Sequence, residues 1–538
     1  MSVRIIADNI ISPLGETTDA NVESVRQGRS ALRVHRLPDM PEAFVASLFE
    51  QPVTFVEGMI RTIEAALDNA RSRGISIDPA GDDVLYVFSS TKGNVAEMQR
   101  LGTSAEEVST HFGSRRRPVV VSNACISGLS AQLLALRMLR AGYARYAIVA
   151  GLDVQGRFIV SGFQSFKALS PEECRPFDGD RCGLNLGEAA ACMILTADDT
   201  VAPGQGWTIR DGAVRNDAVH ISNPSRTGEG CLRALQQVID PECRPTCISA
   251  HGTATLYNDE MEAAAIDRAG LSEVPTFSLK GYYGHTMGAA GILETIITLH
   301  SVCQGWIPAT RGYAEEGTSH PVCVSGHKVP AQGRDVIKLL SGFGGCNAAL
   351  RYSDQALDTP VRTIGPDALR TLCSVHLSPA EMPEGMTARY KAQVGDYPKF
   401  YKMDPLCKLG FLAAEELVRM ANDGADHSED RAIVLFTRNG SMADDQAYLE
   451  TISSPDAYYP SPAVFVYTLP NIVTGELAIR HHYHCETSCY VLEEKDWSLI
   501  HNIIATTFQD RGVKSVLAGW LDYVDDEHYE ADLAVYEP

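Results

Sequence analysis

One stretch, Pro118 to Asp153, constrains this 538-residue chain more than any other. It reads PVVVSNACISGLSAQLLALRMLRAGYARYAIVAGLD. Val119, Val120 and Val121 are apolar and β-branched in a row, the pattern of a short buried strand. From Ile126 the apolar residues recur at helical spacing through Leu129, Leu133, Leu136 and Leu139, and Gly142 supplies a stop. Ala147 to Ala150 reads as the next strand. Cys125 therefore falls where a strand hands over to a helix. There its sulfur would face unpaired N–H groups and the positive end of the helix dipole. That placement lowers a thiol pKa, which makes Cys125 a candidate nucleophile; the alternative is an inert core cysteine.

The length allows two to four domains and a large core. A hydrophobic content of 45% with 21% charged residues is that of a soluble globular protein. No apolar run approaches the roughly 18 residues of a membrane span. The start, MSVRIIADNIISPLG, lacks the basic segment and long apolar core of a secretory signal. Fourteen cysteines are scattered without a framework, so free thiols in a reducing cytoplasm are expected. A net charge of −22 argues against broad binding to nucleic acid or anionic membrane. An acidic protein partner would need a local basic patch, and Arg115 to Arg117 are read first as solvated charge.

In chain order, residues 3–6 (VRII) read as a strand and Ser12 to Gly15 as a turn. Residues 55–73 carry helical spacing, and Val84 to Phe88 reads as a strand before the polar turn Ser89 to Asn94. Residues 174–194 begin as a loop and end as a buried strand. Ile248 to Ala250 is a short strand that delivers His251, and Phe277 to Leu279 delivers Lys280. Helical spacing returns from Met287. Ile337 to Leu340 leads into the glycine-rich loop SGFGGCN, Ser341 to Asn347. Strands alternating with helices predict a layered α/β fold.

Residues 354–372 lose periodicity and contain Pro360 and Pro366, as a connector does. Beyond them the pattern of the start of the chain recurs at a fixed offset of about 345 to 348 residues, the mark of duplication. Leu406 to Ala421 matches residues 59–73. Ala432 to Phe436 with Asn439-Gly440 matches Val84 to Phe88 with Lys92-Gly93. Ala463 to Ile472 matches Pro118 to Ser127, and VLAGWLD at Val516 to Asp522 matches IVAGLD at Ile148 to Asp153 after an insertion. On this alignment Pro470 takes the place of Cys125, so the second copy carries no nucleophile. It also has no counterpart of His251, Lys280 or His285. His481, His482, His484, Cys485 and Cys489 fit no zinc spacing and read as alternating side chains on a strand.

Three further segments stand out: HGTATLYND from His251, KGYYGHTMGAAG from Lys280, and SGFGGCN around Phe343. A cysteine that makes and breaks thioesters needs donors for an oxyanion. If carbon dioxide is lost from a second thioester, the resulting enolate needs donors too, and two neutral imidazoles suit that task. Thr253 and Thr255 have hydroxyls able to hold the His251 ring. His285 stands at a helix start, where the dipole disfavours a charged ring. Lys280 would polarise that histidine or a nearby carboxylate.

Together, SPLG, NACISG, CRPFDGDRCGLNLGEAAA, HGTATLYND, KGYYGHTMGAAG and SGFGGCN resemble the elongating β-ketoacyl-[acyl-carrier-protein] synthases of the thiolase superfamily, from Val3 to about Tyr352. The resemblance implies a five-layer αβαβα thiolase-like fold over residues 1–355, with two halves meeting near 200–245. A linker at 356–372 and an incomplete synthase-like half at 373–538 would follow. It implies decarboxylative Claisen condensation of an acyl thioester with a malonyl group carried on acyl carrier protein, in fatty acid, polyketide or aryl-polyene-like biosynthesis. Cys125 would be the acylated nucleophile, and His251 and His285 the enolate-stabilising pair. The backbone amides of Cys125 and Phe343 would form the oxyanion hole, with Phe343 gating the acyl tunnel. Lys280, Glu294, Asp259 and Glu262 would be supports. No metal or cofactor beyond the carrier's phosphopantetheine is implied, and a homodimer or a heterodimer with a synthase-like subunit is.

Departures are Glu188-Ala189-Ala190 where Glu-Gly-Ala is usual, and Cys182 after Arg181. The segment PSPAVFVYTLPNIVTGELAIRHH resembles the truncated synthase-like proteins of polyene and flexirubin-type pigment pathways, which points to an aryl-polyene-like product. The alternatives are a non-catalytic chain-length-factor-like partner and a thiolase-type enzyme that condenses without decarboxylation.

Overall fold

The computed structural model describes residues 2–37, 40–201, 206–355, 361–421, 429–454 and 456–538. Fifteen strands join into one hydrogen-bonded array. They are β1 (Val3–Ile11), β2 (Val84–Ser89), β3 (Val119–Val121), β4 (Tyr146–Gly151), β5 (Ala190–Thr196), β6 (Thr208–Asn216), β7 (Cys247–Ser249), β8 (Thr276–Phe277), β9 (Asp335–Gly342), β10 (Cys346–Ser353), β11 (Arg370–Leu377), β12 (Arg431–Thr437), β13 (Thr487–Val491), β14 (Ser515–Asp525) and β15 (His528–Glu537). The helices used below are α1 (Phe55–Ser72), α2 (Ser127–Arg140), α3 (Arg157–Ser165), α4 (Leu256–Arg268), α5 (Ala290–Cys303), α6 (Pro405–Met420), α7 (Met442–Thr451), α8 (Pro462–Tyr467), α9 (Ile472–His481) and α10 (Trp497–Thr507).

The spatial order is β8-β7-β9-β10-β6-β1-β5-β4-β2-β3-β13-β12-β14-β15-β11. Three five-strand units, β1–β5, β6–β10 and β11–β15, repeat one plan. In each, the order is third, second, fourth, fifth, first. The second strand runs parallel to the third and fourth, and the fifth runs antiparallel to the fourth and first. The first two units meet through their first strands, with Val3 opposite Ile209. The first and third meet through their third strands, with Val121 opposite Tyr490.

The central strands are apolar throughout because both faces are covered; VLYVFS and YAIVAG are buried at every residue. α2 is buried from Ser127 to Leu139, and α5 is buried almost as completely. Helices apolar on all sides belong to an inner layer. They cross closely because glycines meet there. A Cβ on Gly128 would lie 3.0 Å from the Gly291 Cα and 2.9 Å from the Gly288 carbonyl oxygen. Gly288 and Gly291 are thus packing glycines, and their packing brings the start of α2 against the start of α5.

Three of the four sequence matches into the third unit are structural equivalents: α6 lies between β11 and β12 as α1 lies between β1 and β2, and the other two share a hydrogen-bond pattern. In the first unit Asp153 accepts hydrogen bonds from the Ser90 hydroxyl and the Thr91 and Lys92 amides. In the third unit Asp522 accepts them from the Thr437 hydroxyl and the Arg438 and Asn439 amides. The match of Ala463–Ile472 to Pro118–Ser127 fails. Those residues fall in α8, the turn after it and the first residue of α9, and the counterpart of β3 is β13. The insertion lies before β13, not after it, so the offset slips to about 369 residues beyond α7. A short apolar run cannot by itself separate a strand from a buried helix. With Tyr490 equivalent to Val121, Glu494 and not Pro470 occupies the place of Cys125.

Two smaller corrections follow. Of the connector at 356–372, residues 356–360 lie outside the described residues, and β11 already begins at Arg370. His481 ends α9 and His482 caps it in a left-handed conformation, so the His481–Cys489 group is not one alternating strand; only Cys489 lies on β13.

Buried ion pairs tie the third unit to the rest. Arg137 on α2 meets Glu486 at 2.8 Å, Arg215 on β6 meets Asp510 at 2.7 Å, and Lys92 meets Asp445. Arg117 pairs with Glu494 at 2.6 Å, so it faces the third unit. Among the described residues no helix is long and apolar enough to cross a membrane.

Candidate active site

Cys125 lies in the turn Ala124–Ile126 between β3 and α2. Ala124 is held at φ 46°, a left-handed conformation unusual for a residue with a side chain. The turn is locked by its neighbours: the Ser127 hydroxyl donates to the Ala124 carbonyl at 2.6 Å, and the Cys489 amide of β13 donates to the Asn123 side chain at 2.7 Å.

His251 follows β7 in a loop fastened from below by two carboxylates on α4. Glu262 accepts the His251 and Gly252 amides at 2.6 and 2.7 Å. Asp259 accepts the Thr253 and Ala254 amides at 2.9 and 3.1 Å, and the Phe177 amide at 2.7 Å. Asp259 and Glu262 therefore shape the loop and also tie it to the CRPFDGD segment. Thr253 and Thr255 line the cavity but bond to each other, at 2.9 Å between hydroxyls, and not to the imidazole.

His285 precedes α5. Its amide donates to the Asn185 carbonyl at 2.7 Å and its carbonyl accepts the Gly187 amide at 3.0 Å, so the GLNLGE segment holds it. The His251 and His285 ring centroids are 5.0 Å apart and nearly perpendicular, at 77°. The Cys125 sulfur and one ring nitrogen from each histidine all lie within 4.8 Å of one another. Neither nitrogen of His285, nor Nδ1 of His251, has a hydrogen-bond partner among the described residues.

Behind the histidines lies a buried charge cluster. Glu294 accepts from Lys280 and from Lys338, the latter at 2.7 Å. Lys338 Nζ also donates to the Ser249, Ala250 and Leu339 carbonyls at 2.9–3.1 Å. Burial works to raise the Glu294 carboxyl, but the two ammonium charges more than offset it and hold it below the usual carboxylate range. Burial lowers Lys338 to about 8 despite Glu294.

The same surroundings decide the protonation of the site. Burial, then the Lys280 charge, holds both imidazoles well below the ordinary histidine range, so both are neutral at pH 7. Burial also pushes the Cys125 thiol up to about 12, with the Lys280 charge pulling the other way. This reverses the lowering expected from the helix start: at a sulfur almost shut off from water, desolvation outweighs the dipole. Because a depressed histidine gains its proton only below pH 6.5, the acid limb of any histidine-dependent turnover should lie well under that value. A rate–pH profile with an acid inflection at 6.5 or above would contradict it.

The three residues line a cavity of about 310 Å³, together with Phe163, Phe166, Phe343 and Asn347. Leu256 and Tyr257 stand exposed at its mouth. Phe343 follows Gly342, which approaches the nucleophile turn closely: a Cβ there would lie 3.2 Å from the Cys125 amide nitrogen. The Phe343 ring packs on Phe163 and Phe166 at 6.2 and 5.5 Å.

The patterns described as Beta-ketoacyl synthase, N-terminal domain, and Beta-ketoacyl synthase, C-terminal domain, match residues 86–200 and 207–314. Residues 86–314 thus carry the two domains of a beta-ketoacyl synthase. It is 30% identical over 260 residues to Nodulation protein E of Rhizobium leguminosarum bv. trifolii, across 46% of this chain and 64% of that one. It is 31% identical over 266 residues to the tetracenomycin polyketide synthase ketoacyl synthase alpha subunit of Streptomyces glaucescens, across 45% of this chain and 61% of that one. The chain thus spans less than two thirds of either relative. In fold it resembles a solved PfaC keto synthase–chain length factor, with a TM-score of 0.75 at 14% identity, over all of this chain and 78% of that one. The fold is that of the thiolase-like ketosynthases.

Reading motifs missed Lys338 and Asp153. Lys338 had a signal, a lysine inside the apolar strand that leads to the family's glycine loop. Asp153 supports the site from behind, accepting the Gly288 amide at 2.7 Å while it holds the turn after β2.

Proposed function

We propose that the chain is a condensing enzyme that joins an acyl group to a malonyl-derived unit with loss of carbon dioxide. The observation that carries this reading is one thiol beside two neutral imidazoles, three of whose four ring nitrogens have no hydrogen-bond partner among the described residues. Attack of the Cys125 sulfur on an acyl thioester forms the new C–S bond as the carrier's C–S bond breaks. The thiol proton passes to an imidazole nitrogen and on to the departing carrier sulfur. With its resting thiol protonated, Cys125 needs that base at the moment of attack. A malonyl thioester then loses its carboxylate as carbon dioxide, and the released electron pair becomes an enolate. Its oxygen accepts N–H bonds from His251 and His285, strong ones in so buried a site. The enolate carbon attacks the acyl-Cys125 carbonyl, the oxyanion rests on the Cys125 and Phe343 amides, and collapse of the intermediate releases the sulfur.

The chemistry calls for no metal or organic cofactor beyond the phosphopantetheine arm of an acyl carrier protein. The polyketide description of the Streptomyces relative supports a polyketide-type product. The third unit, with Glu494 in the nucleophile's place, is proposed as a built-in, non-catalytic partner that occupies the β3 edge. A homo-oligomer would therefore have to use another face.

The test is intact and peptide mass spectrometry after incubation with a series of acyl thioesters, then with malonyl thioester labelled in its free carboxyl. We expect an acyl adduct on the Cys125 peptide, followed by labelled carbon dioxide and an extended product. Absence of any adduct, or extension that retains the label, would overturn the proposal.

A further inference from the structure

The loop that carries Phe343 rests on the third unit. The Phe343 carbonyl accepts a hydrogen bond from the Asn471 side-chain nitrogen at 2.8 Å and from the Cys346 thiol at 3.3 Å. The same Asn471 nitrogen lies 3.8 Å from the Cys346 sulfur. Gly344 and Gly345 are both left-handed, at φ 90° and 72°, which a side chain resists. Space dictates glycine as well. A Cβ on Gly344 would lie 2.6 Å from the Asn471 nitrogen, and one on Gly475 would lie 2.6 Å from the Gly344 carbonyl oxygen. The loop is thus laid directly on the first turn of α9.

Asn471 is itself rigidly held. It is nearly shut off from water, and its carbonyl accepts the Thr474 hydroxyl at 2.8 Å. The turn before it is clamped to the first unit, because Lys92 donates to the Thr468 carbonyl. Its own side-chain oxygen has no hydrogen-bond partner among the described residues. A buried amide with one end unpaired and the other on Phe343 marks a contact kept in spite of its cost.

We infer that Asn471, from the unit without a nucleophile, is a positioning residue for acyl transfer at Cys125. By fixing the peptide after Phe343 it fixes the Phe343 backbone, hence the aim of the preceding amide at the Cys125 turn and of the ring at the cavity. The inference rests on the acyl-enzyme reading above.

The experiment compares the full chain with its Asn471→Asp and Asn471→Ala variants. Asp places a carboxylate against the Phe343 carbonyl, and Ala removes the bond. Single-turnover acylation of Cys125 by an acyl-pantetheine thioester is followed by mass, and alkylation of Cys125 by iodoacetamide, which forms no oxyanion, is measured in parallel. Misplacement of a reacting group by an ångström can cost on the order of a hundredfold. We expect acylation to fall about tenfold or more in both variants, through the maximal rate more than through the half-saturating thioester concentration. Alkylation should not fall. Equal acylation in either folded variant and the unaltered chain would overturn the inference, as would acylation and alkylation that fall together. If the unaltered chain takes no acyl group, the function reading fails instead. Should the Asp variant not fold, the Ala variant decides.

Discussion

Replacement of Cys125 by alanine should abolish the acyl-enzyme, whereas replacement of His285 by alanine should leave it and cut condensation by roughly 10²–10⁴-fold. The two outcomes separate because the residues act at different bonds. On the proposed reading the sulfur carries the acyl group, and in the Ala variant the Ser127 hydroxyl at the start of α2 is buried and bonded to the Ala124 carbonyl. Cys346 is nearby but fully buried beneath Phe343. On the same reading His285 donates to an oxygen that becomes charged only when carbon dioxide leaves. His251 remains beside the sulfur in the His285 variant and can still take the thiol proton. Intact mass reads the first step, and carbon dioxide release with product extension reads the second. An acyl adduct that persists without Cys125, or normal extension without His285, would sink the assignment of these roles.

Truncation after residue 355 should yield a protein that does not remain folded and soluble. The third unit does more than cover the β3 edge. It supplies Glu486 and Asp510 to Arg137 and Arg215, and Asp445 to Lys92. In the truncated chain those cations stand unpaired on the face that the third unit had covered. Apolar groups are uncovered as well, since α10 packs on α2 and β13 on β3. Solubility, gel filtration and a thermal melt of the truncated chain check this. A monodisperse, cooperatively melting fragment that still acylates Cys125 would refute it.

Much of the site was legible beforehand because its chemistry demands specific side chains in specific local settings. Cys125 at a strand-to-helix turn, a histidine delivered by a short strand and a second one before a helix each left a local pattern of periodicity and turn residues. Asp259 and Glu262 came only through the family resemblance, and the structure shows the loop amides that they accept. What the local pattern misjudged was environment. The dipole at the start of α2 is a property of neighbouring residues, but the desolvation that raises the Cys125 thiol comes from segments hundreds of residues away. The slipped alignment at Pro470 has a similar origin: α8 and a strand are equally apolar over six residues, and only pairing with β3 tells them apart.

The amino-acid order by itself determined the alternation of strands and helices, the thiol and two imidazoles of the candidate site, and the presence of a later copy without a matching cysteine. These depend on residue type and short-range spacing, which the chain carries wherever it folds. Only the tertiary structure decided that the copy pairs with β3, that Lys338 joins Lys280 on Glu294, and that Asn471 reaches the Phe343 loop. Those contacts span tens to hundreds of residues in sequence. They exist because packed layers bring distant backbones within hydrogen-bond range, which no local pattern records.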